Sequence, residues 1–95
     1  MTEKDVLDKV ISILRDVNAV EPGSTDEEIA NMQLPDLPFF EMHHEDRKGL
    51  LHEFLVKGLA DLYGGNEPST SPNNGTVFDR KTSIKKLAAE IYDDN

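Results

Sequence analysis

Val6, Val10, Ile13, Leu14 and Val17 recur at spacings of three and four, and Leu7 and Ile11 widen the stripe. The period returns in Leu50, Leu51, Phe54, Leu55, Leu59 and Leu62, and again in Ile84, Leu87, Ala88 and Ile91. An apolar face repeated every ~3.6 residues is buried by a helix, whereas a half-buried strand needs alternation by two. No stretch alternates convincingly in that way. The expectation is an all-α bundle of about four helices, three main and one short, forming a single domain over residues 1–95.

Local signals set the limits of these helices. Thr2 is placed to cap the first, with Asp5 in the N3 position. Asn18 to Gly23 breaks it, Pro22-Gly23 being the turn. Thr25 with Glu28 three residues on forms a capping box, and Pro35 limits the helix behind it to a turn or two. Residues 33–40 must be extended or turning, and Leu34, Leu37, Phe39 and Phe40 there either plug the core or stay exposed. The second main helix is predicted to begin between His43 and Asp46 and to stop at Gly64-Gly65. Gly58 interrupts its apolar stripe, so another helix is expected to approach closely there. Asn66 to Gly75 reads as a mobile polar connector. Arg80, Lys81, Lys85 and Lys86 form a basic cluster at the start of the last helix.

Charge is the most informative part of the composition. Nineteen Asp and Glu stand against ten Lys and Arg, for a net charge of −9. Asp16, Glu21, Asp26, Glu27, Glu28, Asp36, Glu41, Glu45 and Asp46 fall in one stretch that holds no Lys or Arg. The rest of the chain is balanced. Nucleic acid and anionic membrane surfaces are therefore not expected partners, because both demand cations. A basic protein surface would be steered toward this stretch. A solvated face that keeps a small domain soluble is the plainer alternative.

Other classes of chemistry find little to work with. The absence of Cys rules out disulfides, thiolate zinc sites and cysteine nucleophiles. His43, His44 and His52 lack the i, i+4 spacing of a helical zinc site, so no metal is expected. None of Ser12, Ser24, Ser69, Ser71 and Ser83 lies in a nucleophile-elbow motif, and no glycine-rich phosphate loop exists. The chain is not expected to be an enzyme. No apolar run approaches the ~20 residues of a membrane span, and Met1 to Asp5 is no secretory leader, which together predict a cytoplasmic protein.

Residues 2–14 are similar to the first helix of the acyl carrier protein family. The tail Thr76-Val77-Phe78-Asp79-Arg80-Lys81-Thr82-Ser83-Ile84-Lys85-Lys86-Leu87-Ala88 resembles the Leu-Phe-Asp-x-x-Thr-ϕ-x-x-Leu-Ala entry to that family's last helix. The resemblance implies a carrier-like bundle, with Phe78 plugging the core and Thr82 or Ser83 capping the final helix. The family's Asp-Leu-Gly-x-Asp-Ser-Leu motif is matched only at Asp36-Leu37. An ungapped count puts Glu41 at the phosphopantetheine-bearing serine, and a one-residue gap puts Phe40 there. Neither side chain can form the phosphodiester.

Charge and resemblance together lead to one expectation. It is a non-catalytic carrier-like protein that presents Asp36, Glu41, Glu45 and Asp46 to a basic-surfaced protein partner in an acyl, polyketide or peptide pathway. Phe39 and Phe40 would anchor that interface, and no cofactor would be bound. One alternative is a true carrier, with phosphopantetheine on a displaced serine. Another is a small acidic inhibitor or immunity-type protein that blocks a basic target.

Overall fold

A computed structural model describes residues 2–33, 47–66, 68 and 83–94. Helix α1 (Glu3–Asp16) opens with a reciprocal capping box. The Thr2 hydroxyl accepts the Asp5 N–H at 3.3 Å, and Asp5 Oδ2 accepts the Thr2 N–H at 2.8 Å. Two of the four N–H groups that a helix start would otherwise leave unpaired are thereby involved or flanked. Past the cap residue Val17 the helix is closed by Asn18, whose φ of 58° is left-handed. Ala19 N–H then donates to Leu14 C=O at 2.8 Å and Asn18 N–H to Arg15 C=O at 3.1 Å. This is a Schellman closure in which asparagine takes the place usually given to glycine.

Helix α2 (Asp26–Asn31) is short, as the capping box and Pro35 require. Helix α3 (Arg47–Leu59) runs directly into a 3-10 turn (Ala60–Tyr63) and stops at Gly64, which adopts a φ of 67°. Helix α4 (Ile84–Asp94) is capped by Ser83, whose Oγ accepts the Lys86 N–H at 3.1 Å. Its first N–H, that of Ile84, donates to Met32 C=O at 2.9 Å, and Gln33 lies antiparallel to Ser83 in an isolated bridge. That bridge is the sole extended pairing among the described residues. The fold class is all-α.

Helix α1 packs against α2, α3 and α4, and α2 also packs on α4. Val6, Val10 and Leu14 of α1, Ile29 of α2, Leu55 and Leu59 of α3, and Ile84, Leu87 and Ile91 of α4 are fully buried together. The predicted stripes supply most of this core, but Leu7, Val17, Phe54 and Leu62 are only partly buried against it. Val17 is only half-buried at the margin, because it follows the last helical residue of α1. Val56, which no stripe included, is buried. Gly58 behaves as its place in the stripe suggested: a Cβ there would stand 2.5 Å from Cδ1 and 2.7 Å from Cγ1 of Ile13 on α1.

At the far end of α3 the Tyr63 hydroxyl is buried without a hydrogen-bond partner among the described residues. Burial, with Tyr92 nearby, pushes its phenol above the ordinary range. Pro68 is buried, so at least this residue of the predicted mobile connector lies against the fold. The rest of residues 69–75, the start predicted between His43 and Asp46, the plugs Leu34, Leu37 and Phe78, and the side chains of Leu50 and Leu51 fall outside the described residues. No described helix is long and apolar enough to cross a membrane.

Candidate acidic face

Five of the nine acids in the base-free stretch belong to described residues: Asp16, Glu21, Asp26, Glu27 and Glu28. All five are exposed. Asp36, Glu41, Glu45 and Asp46, with Phe39 and Phe40, lie outside the described residues. What the structure fixes is therefore the near end of the candidate site, from the close of α1 through α2.

That near end is held in place by Arg15. Its Nη2 donates to Asp26 Oδ1 at 2.7 Å and to Ser24 C=O at 2.9 Å. The left-handed turn at Asn18 reverses the chain and brings the last turn of α1 against the first of α2, which makes this reach possible. Both side chains are partly in water, so the ion pair itself contributes about 0.2–1 kcal/mol. Its larger effect is geometric, because α2 alone is too short to be a stable helix. Buried Ile29 and Ala30 provide the second attachment.

Thr25 completes the start of α2. Its hydroxyl accepts the Glu28 N–H at 3.2 Å, and Glu28 Oε1 accepts the Thr25 N–H at 3.0 Å. The Thr25 backbone N–H, then its hydroxyl, hold the Glu28 carboxyl below the usual carboxylate range. A carboxylate with a depressed pKa stabilises the fold fully above its unfolded value, and that contribution is lost as pH falls through the folded one. Thr25→Ala is expected to cost about 1 kcal/mol at neutral pH. Glu28→Gln, which leaves the Thr25 N–H without its carboxylate, should flatten the loss of stability between neutral and acid pH, read by urea denaturation across a pH series. An unchanged pH profile in Glu28→Gln would mean that the Glu28 carboxylate does not serve the cap.

The acids therefore divide by role. Asp26 is neutralised by Arg15 and Glu28 is engaged in the cap, while Asp16, Glu21 and Glu27 have no ion pair among the described residues. The involvement of Arg15 was not legible from spacing, since the pair is 11 positions apart and no helical rule links such positions. Its only sequence signal is being the last base before a long acidic run.

Among the described residues no three His, Asp or Glu side chains gather as metal ligands. His43, His44 and the His52 side chain fall outside that set. Ser24 is half-buried with its carbonyl held by Arg15, and the Ser83 hydroxyl is engaged as a cap. An open depression of about 240 Å³ beside the clamp is lined by Arg15, Asn18, Val20, Glu21 and Pro22. No protein-family profile, characterised protein or solved structure matches the chain.

Proposed function

We propose that the chain is a non-catalytic, carrier-like binding module whose base-free acidic stretch, entered through α2, docks on a basic surface of a protein partner. The observation that carries this reading is the exposure of every described acid in that stretch, three of them (Asp26, Glu27 and Glu28) on a helix pinned by Arg15 and Ile29. Negative charge held on a fixed element accelerates encounter with a basic partner more than it deepens final affinity. The succession of a long helix, a short one, a long one and a Ser83-capped last helix supports the carrier-like part. The absence of serine at the Asp36-Leu37 motif favours docking without cargo.

A broad-specificity phosphopantetheinyl transferase is a suitable probe, because carriers meet it through the corresponding acidic face. Its association with the full chain is expected to slow several-fold between low salt and about 0.15 M, where exposed charges are screened beyond ~8 Å. The Glu21→Lys, Glu27→Lys double variant should slow it further and reduce its dependence on salt. Binding that ignores both salt and these substitutions would overturn the proposal. An intact mass increased by one phosphopantetheine after co-expression would overturn its cargo-free part and establish a true carrier.

A further inference from the structure

Bases are scarce in this chain, at ten against nineteen acids, so each could be expected to find a carboxylate. Lys9, Arg15 and Lys57 do, on Asp61, Asp26 and Glu53. Lys4 and Lys85 have no ion pair among the described residues, and both line one groove of about 270 Å³ between α1 and α4. Half-buried Leu7 gives that groove its apolar part, and Glu3 is the one acid lining it among the described residues. Both lysines also occupy the second position of their helices, where the positive end of the helix dipole disfavours a cation. Both are exposed, so packing does not account for a placement that works against the fold.

We propose that this groove is a second docking site, for an acidic segment of a partner protein that lays an apolar side chain on Leu7 between carboxylates paired to Lys4 and Lys85. Charge complementarity selects the occupant: within a chain of net charge −9, this groove joins two cations that have no ion pair among the described residues to an apolar surface. A peptide fits better than nucleic acid. Leu7 rewards an apolar side chain that a phosphate backbone lacks. The site is separate from the acidic face and opposite to it in charge, so each stands or falls independently.

The test uses a fluorescein-labelled peptide, Glu-Asp-Leu-Phe-Asp-Glu, titrated against the full chain by anisotropy at about 0.1 M salt. Lys4→Gln with Lys85→Gln is expected to weaken binding about fivefold. The same double variant should raise the melting temperature by about 4 °C, since two misplaced cations are removed. Replacing Leu-Phe in the peptide by Ser-Ser should weaken binding to the wild-type protein as well. Equal peptide affinity for wild type and double variant would overturn the proposal. So would a lowered melting temperature in the variant, or a short oligothymidylate that binds the groove as tightly as the peptide.

Discussion

Leu14→Ala is expected to lower the unfolding free energy by about 3 kcal/mol, while Val17→Ala, on the same predicted stripe, costs about 1 kcal/mol. The sequence pattern treats the two positions alike. In the structure Leu14 is fully buried in the last turn of α1, and Val17 has turned half into water. Removing the Leu14 side chain forfeits its transfer free energy and adds a cavity term, because the site cannot collapse freely. Its own carbonyl is fixed by the Ala19 N–H in the helix closure, so the backbone there is held on both sides. For a domain of this size the loss corresponds to a fall of roughly 15 °C in melting temperature. Urea denaturation of both variants gives the comparison. Equal losses would show that α1 does not end at Asp16 with Val17 turned outward.

Gly58→Ala is expected to destabilise the protein by about 1 kcal/mol, although the same change at an open helix position would stabilise it by about that much. The difference comes from α1. The new methyl carbon would stand 2.5 Å and 2.7 Å from two carbons of Ile13, closer than packed carbons approach. Overpacking of this kind costs about 1–3 kcal/mol and outweighs the gain in propensity. Ile13→Ala removes both carbons. In that background Gly58→Ala should become favourable by about 1 kcal/mol, giving a coupling of about 2 kcal/mol in a double-mutant cycle. Stabilisation by Gly58→Ala in both backgrounds would mean that α1 and α3 do not meet at this point.

The elements most readable from sequence were those with a local cause. Thr2 with Asp5, Thr25 with Glu28, and the three apolar stripes each state their outcome within four residues; both caps are present, and most of the described stripe residues are buried. Gly58 was readable because a gap in an apolar stripe implies a neighbour. Features that depend on chain reversal were not. The Arg15–Asp26 pair and the tie of Met32 and Gln33 to the start of α4 join positions that no helical period connects. Asn18 is an intermediate case. It lay in the predicted break, but the left-handed closure requires knowing that Ala19 and Val20 turn inward to be buried. The predicted site residues Asp36, Phe39, Phe40, Glu41, Glu45 and Asp46 lie outside the described residues; in the near part of the same acidic stretch, one acid is neutralised by Arg15 and another is used by a cap. Net charge alone could not make that distinction.

The tie between the residue after α2 and the residue before α4 has a consequence for chain length. It fastens together, at one base, the two ends of the chain that carries α3. Once two ends are fastened, doubling the length of a loop between them costs only ~0.6 kcal/mol of closure entropy. Extra residues inserted there would leave the hub of α1, α2 and α4 standing, whereas a single residue inserted between Met32 and Gln33 would shift the register at the base itself.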